Sequence, residues 1–125
     1  MRLLLDTHVF IWSVTASRHL KTVAREYFAS AQAVYVSAAS IWEIAIKSRL
    51  GKIEGDAQDF AAAIEASGFH ALSVTPAHAA AVAKLPLHHT DPFDRLLLAQ
   101  AFNEPLRFVT ADRALSAYGG AVEVL

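Results

Sequence analysis

Four acidic residues stand where short apolar runs stop or where helices should begin. Asp6 closes the run Leu3-Leu4-Leu5, and Asp112 lies just past Arg107-Phe108-Val109. Glu43 falls in the second turn of a helix that Ser37 would cap, and Asp94 in the first turn of one opened by Asp91-Pro92. A charged side chain at the end of a buried strand is costly unless it is paired, hydrogen-bonded or bound to a cation. In a parallel sheet all four positions fall at the carboxyl-terminal edge, where open α/β sheets hold their ligands. Carboxylates crowded into one crevice repel one another and raise each other's pKa values. A hard divalent cation removes that repulsion: Mg²⁺ prefers oxygen ligands, and Mn²⁺ suits the same set. Asp6, Glu43, Asp94 and Asp112 are therefore read as one metal-binding, catalytic set.

Each acid also has an ordinary explanation, and only their coincidence outweighs it. Asp6 could end a strand as a turn residue, and Glu43 could pair with Lys47 one helical turn on. Asp94 suits the positive end of a helix dipole, and Asp112 could cap a short helix. Asp91 is first an N-cap before Pro92. Thr7, Ser37 and Thr110 sit beside the acids and could orient a carboxylate, or could simply cap. Arg95 is free in sequence terms to meet a phosphate, a protein partner or a neighbouring acid. His8, His88 and His89 share no ligand spacing of the kind a tetrahedral zinc site needs, and read as loop or core histidines. Lys47, Arg49 and Lys52 form a small basic group that reads first as a solvated face. Trp12 and Trp42 read as packing residues rather than base-stacking platforms.

The elements that must position these groups follow from periodicity. Leu3 to Leu5 show no polar alternation and suit a strand buried on both faces. A short buried helix is expected over 9–14, and a second from a Ser17 cap to about 32. Residues 33–36 form the next strand candidate, and Ser37 caps a helix running from 38 to about 50 before Gly51. Ile41, Trp42, Ile44, Ala45 and Ile46 make that helix apolar almost all round, which asks for a second partner, most economically another copy of the chain. Asp56 caps a helix to about 67, residues 70–74 make a strand, and Thr75-Pro76 open another helix. Residues 85–90 read as a loop, followed by a helix from Asp91-Pro92 to about 103. A strand over 107–109, a short helix after Asp112 and an edge strand over 122–124 complete the chain. Strands alternating with helices, without hairpin turns, predict a parallel α/β sheet covered on both faces.

Bulk properties agree with a single compact domain of 125 residues. Hydrophobic residues make up 54% and charged ones 18%, which excludes a disordered chain. The net charge of −1 disfavours a tight non-specific nucleic-acid binder but not an enzyme with a local site. With no cysteine there is no disulfide framework and no thiolate zinc site. Asp6 and His8 break the N-terminal apolar run before it reaches signal-peptide length. No stretch approaches a transmembrane span, so a cytoplasmic protein is expected.

The segments Leu3-Leu4-Leu5-Asp6-Thr7, Ser37-Ala38-Ala39-Ser40-Ile41-Trp42-Glu43-Ile44, Asp91-Pro92-Phe93-Asp94-Arg95-Leu96-Leu97-Leu98-Ala99-Gln100-Ala101 and Val109-Thr110-Ala111-Asp112 resemble the PIN domain. They are most similar to the VapC-type ribonuclease toxins of bacterial toxin–antitoxin pairs. The resemblance spans nearly the whole chain, residues 1–125 as one domain. It implies an α/β/α fold with a five-stranded parallel sheet and a Mg²⁺- or Mn²⁺-dependent endoribonuclease. It implies Asp6, Glu43, Asp94 and Asp112 as the family's acids, with Asp91 matching an extra acid of one branch. It further implies an RNA substrate cut to 5′-phosphate and 3′-hydroxyl ends, and a cognate antitoxin. A bound cation would acidify a water and neutralise phosphate charge, so no nucleophilic side chain is required. Two rivals share an Asp at a central strand end: an aspartyl-phosphate acceptor domain and a non-catalytic interaction module. A receiver would show paired acids after its first strand and a late lysine, where this chain has Thr110-Ala111-Asp112. A haloacid-dehalogenase-type phosphatase would show Asp-x-Asp, where position 8 is His.

Overall fold

The computed structural model describes all residues from Met1 to Leu125. Strand β1 (Arg2–Leu5) leads into helix α1 (Thr7–Val14), then α2 (Thr22–Ser30), β2 (Ala33–Ser37) and α3 (Ala38–Arg49). Helix α4 (Ala57–Ala66), β3 (His70–Leu72), α5 (Pro76–Ala81), α6 (Pro92–Asn103), β4 (Arg107–Thr110) and β5 (Val122–Val124) follow, with 3-10 turns over Val82–Lys84 and Arg113–Tyr118. The five strands form one sheet in the order β3-β2-β1-β4-β5, parallel throughout.

Strand β1 is central because its side chains are apolar on both faces. Leu4 sits opposite Tyr35 of β2 and Phe108 of β4, and Leu3, Leu4 and Leu5 have no exposed surface. Leu3 and Leu5 point into one core with Val34, Val36 and Val109, covered by Val9 and Phe10 of α1, Phe28 of α2, and Phe60 and Ile64 of α4. Leu4 and Phe108 point into the other, covered by Leu97, Leu98 and Ala101 of α6. The period-2 alternation of a strand thus divides an unbroken Leu run between two layers. The expected three-layer α/β/α architecture is the one observed. No helix is long and apolar enough to cross a membrane.

Most caps fall where side-chain chemistry puts them. Ser37 Oγ accepts the Ala39 N–H at 3.0 Å, and Asp56 Oδ1 accepts the Gln58 N–H at 2.7 Å. Thr75 and His78 close a reciprocal capping box at the start of α5. Gly51 takes φ +73° just after α3, the left-handed conformation that ends a helix.

The boundaries of the first two helices differ from expectation. Helix α1 begins at Thr7, with Asp6 itself as N-cap, two residues before the expected start at Val9. Helix α2 begins at Thr22 and ends at Ser30, and Ser17 does not cap it. The Ser17 hydroxyl instead accepts the His19 N–H in a local turn, with Ala16 at φ +54°. Arg25 holds that turn by donating to the carbonyls of Trp12, Ser13 and Ser17 at 3.1 Å each. Strand β3 stops at Leu72 rather than Val74.

Candidate metal centre at the carboxyl edge of the sheet

The strands β1 and β4 end side by side, and the Asp6 N–H continues their ladder by donating to Val109 O at 2.8 Å. The turn from β1 into α1 then aims the Asp6 carboxylate across the edge of the sheet. Its Oδ1 accepts the Thr7 N–H at 2.7 Å and its Oδ2 accepts the Thr110 hydroxyl at 2.6 Å. Burial pushes the Asp6 carboxyl above its usual range, helped by the nearby Glu43 charge. The Thr110 and Thr7 hydrogen bonds and His8 work against that rise.

Glu43, reached through one and a half turns of α3, is almost wholly buried. Its Oε2 accepts from Lys47 Nζ at 2.6 Å, while its Oε1 is buried with no hydrogen-bond partner. The Glu43 hydrogen bond raises the Lys47 pKa above its ordinary value. Asp94, in the first turn of α6, donates its N–H to Asp91 Oδ1 at 2.9 Å and meets His89 Nε2 through Oδ2 at 2.8 Å. Burial, then the Asp6 charge, push Asp94 up to about 7; Asp91 adds to this and His89 opposes it. Asp112 is exposed and caps the turn after β4 by accepting the Ala114 N–H at 3.0 Å. Thr110 joins the two strand-end acids, because its hydroxyl donates to Asp6 and accepts the Asp112 N–H at 3.1 Å.

These groups face one cavity of about 310 Å³, lined by Asp6, His8, Trp12, Glu43, Lys47, Asp91, Asp94, Ala111 and Asp112. Larger cavities of about 400 Å³ and about 530 Å³ lie by β2 and along α2, and neither is lined by an acidic side chain. Five carboxylates against one ammonium leave the acidic cavity with an excess of negative charge. The unpartnered Glu43 Oε1 adds a buried acceptor that an ordinary fold would not leave empty-handed. Oxygen donors, an excess of negative charge and an orphaned acceptor are what a divalent cation requires. The donor set fits one.

The structure thus brings Asp6, Glu43, Asp91, Asp94 and Asp112 to one cavity, with Thr110 bracing it. Other expected contributors are committed elsewhere. The Thr7 hydroxyl donates to Ser40 Oγ at 2.9 Å, tying α1 to α3, and only the Thr7 backbone serves Asp6. The Ser37 hydroxyl is occupied by its capping bond. Arg95 meets neither acid nor open cavity. Its guanidinium donates to the carbonyls of Pro86, Val82, Leu85 and His89 and to the Tyr118 hydroxyl, binding the loop before α6. Of the histidines read as loop or core residues, His88 packs on Tyr118. His8 lines the cavity, and His89 joins the acids. Ligand atoms of His89, Asp94 and Asp112 lie within 4.8 Å of one another.

A parallel α/β/α sheet with a cluster of carboxylates around a cavity at its carboxyl edge defines the class. Within that class, the chain belongs to the PIN domain family, whose sequence model matches residues 3–121. Solved structures of similar fold include VapBC2 from Rickettsia felis bound to a promoter DNA fragment, at TM-score 0.73 and 14% identity, covering 100% of this chain and 98% of that one. DNA-bound VapBC from Salmonella typhimurium matches at TM-score 0.72 and 15% identity, over 99% of this chain and 98% of that one. VapC20 of Mycobacterium tuberculosis, a sarcin-ricin loop cleaving toxin, matches at TM-score 0.66 and 16% identity, over 94% of this chain and 95% of that one. No curated protein matches the chain.

Proposed function

We propose that this PIN domain is a divalent-metal-dependent endoribonuclease and the toxin of a toxin–antitoxin pair. The observation that carries the reading is the convergence of Asp6, Glu43, Asp94 and Asp112 on one cavity with a buried, unpartnered oxygen among them. Family membership and the kinship of fold with VapC20, a toxin that cleaves RNA, support it. Mg²⁺ or Mn²⁺ suits the oxygen-rich set. When bound, such an ion supplies Lewis acidity for water activation and for charge on the phosphate.

The chain's own groups have separable tasks. The Thr7 N–H and Thr110 hydroxyl hold the Asp6 carboxylate in one orientation. Lys47 holds Glu43 by one oxygen and leaves the other buried without a protein partner. Asp91 fixes the first turn of α6 and with it Asp94. The phosphoacceptor reading is not favoured, because Thr110-Ala111-Asp112 stands at the late strand end where a receiver carries its lysine. The partners of this reading are an RNA substrate and a small antitoxin, the latter in keeping with a toxin–antitoxin complex of like fold.

Purified protein is expected to cut RNA when Mg²⁺ or Mn²⁺ is added and to stop in EDTA. Asp6→Asn should lose at least about a hundredfold in rate, as removal of transition-state electrostatics does, with an unchanged circular dichroism spectrum. A variant that cuts as fast as the parent would refute the assignment. Expression alone should slow growth, with relief by a small protein encoded next door.

A further inference from the structure

We propose that His89 gives an imidazole nitrogen to the cation of this site, and that the site therefore selects Mn²⁺ over Mg²⁺. The inference rests on the metal-dependent reading above and adds a ligand that the four-acid set does not contain. The geometry is the argument. His89 Nε2 and Asp94 Oδ2 are 2.8 Å apart, and adjacent ligands of an octahedral ion with bonds of about 2.0–2.1 Å are separated by about 2.8–3.0 Å. Asp112 completes a trio whose ligand atoms all fall within 4.8 Å. Opposite ligands on the same ion would be about 4.0–4.2 Å apart, so even a pair at the 4.8 Å limit closes with a shift of about 0.6–0.8 Å. The second, independent sign of a ligand is the Glu43 side chain, with its unpartnered Oε1 buried at the cavity the acids share.

His89 is not free to wander. Its carbonyl accepts from Arg95 Nη1 at 3.3 Å, and the same guanidinium holds Pro86 O at 3.0 Å. Only about a fifth of each side chain in the His89–Asp94 pair is exposed, so the pair is shielded from bulk water. The consequence is chemical. Mg²⁺ takes hard oxygen donors and keeps its waters, whereas imidazole suits transition metals, whose affinities rise from Mn²⁺ along the series. An all-carboxylate site has little reason to tell Mn²⁺ from Mg²⁺; one imidazole supplies the reason.

The test uses the full chain and Mn²⁺ itself. Mn²⁺ is titrated by the loss of its free-ion paramagnetic signal, Mg²⁺ by competition, and pulsed paramagnetic resonance reads nitrogen-14 coupling on the bound Mn²⁺. The parent should show directly bound imidazole nitrogen. His89→Ala should lose that coupling and weaken Mn²⁺ binding at least about tenfold while Mg²⁺ changes less than about threefold. His8→Ala, removing the histidine that lines the cavity, should keep the coupling. Circular dichroism confirms that both variants fold. A parent that binds Mn²⁺ and cuts RNA without nitrogen coupling overturns this inference and spares the ribonuclease reading. Coupling that survives His89→Ala, or equal weakening of both ions, also overturns it. A parent that binds neither ion and cuts no RNA brings down both.

Discussion

Asp94 and Asp6 are both held above the ordinary carboxylate range, chiefly by burial, and the sign of that shift has a consequence for stability. Asp94 titrates near 7 in the folded protein against 3.8 in an exposed chain. The folded state therefore keeps a proton that the unfolded chain has lost, and stability falls as pH rises between those values. What this group contributes is fully present below pH 3.8 and is lost as pH passes through about 7. In EDTA, thermal melts should show Tm declining between about pH 5 and about pH 8. Asp94→Asn should flatten that decline and raise stability at pH 8 by about 1–2 kcal/mol, a shift of several degrees. Added Mg²⁺ or Mn²⁺ should stabilise the parent more at pH 8 than at pH 5, because cation and protons compete for the same oxygens. A metal effect independent of pH, together with no gain in Asp94→Asn, would show that these acids are not crowded as described.

At the scale of elements, the first turn of α6 sets the site, and Asp91 is its cornerstone. Asp91 Oδ1 accepts the Asp94 N–H, and Pro92 follows at the first helical position. Losing such a cap costs about 1 kcal/mol, whereas Asn caps as well as Asp. Asp91→Ala should therefore lower stability by about 1 kcal/mol and Asp91→Asn by only a few tenths. If Asp91 acts only by capping, Asp91→Asn keeps RNA cleavage near the parent rate; a fall like that of Asp6→Asn would make it a member of the acidic set. The caps at Ser37, Asp56, Thr75 and Asp91 were legible in the sequence because each is a local bond between residues two or three apart. The central strand was legible for the same kind of reason, since three buried leucines permit few other placements. The start of α2 was not, because Arg25 reaches back 8 to 13 residues to shape the turn around Ser17. The placement of His89 against Asp94 was hidden on similar grounds. A loop histidine carries no periodic signal, and its direction depends on Arg95, whose guanidinium looked available for a phosphate but serves main-chain carbonyls.

For the whole molecule, helix α3 poses the remaining question of what covers its outer face. Its apolar residues exceed what one sheet can use. Ile44 is fully buried, yet Trp42, Ile46 and Leu50, spaced four apart, are 60%, 38% and 63% exposed. Trp42 also packs edge-on against Phe93 of α6, with ring centroids 5.1 Å apart, so the apolar stripe spans two helices. Scattered apolar residues are ordinary on a surface, but a contiguous aromatic and aliphatic stripe marks an association site. Covering one large side chain there is worth about 1.5–3 kcal/mol, and a twofold contact uses each residue twice. A dimer through this face would set Trp42 at the junction, one residue from Glu43, and so bring the partner close to the rim of the cavity. Light scattering should give the mass of a dimer for the parent and of a monomer for Trp42→Glu. Dimer loss with RNA cleavage intact would make the contact structural. Loss of both, with Asp94 still titrating near 7 by NMR, would mean that pairing holds α3 and Glu43 in register. A parent that stays monomeric at high concentration would leave the stripe to the antitoxin instead.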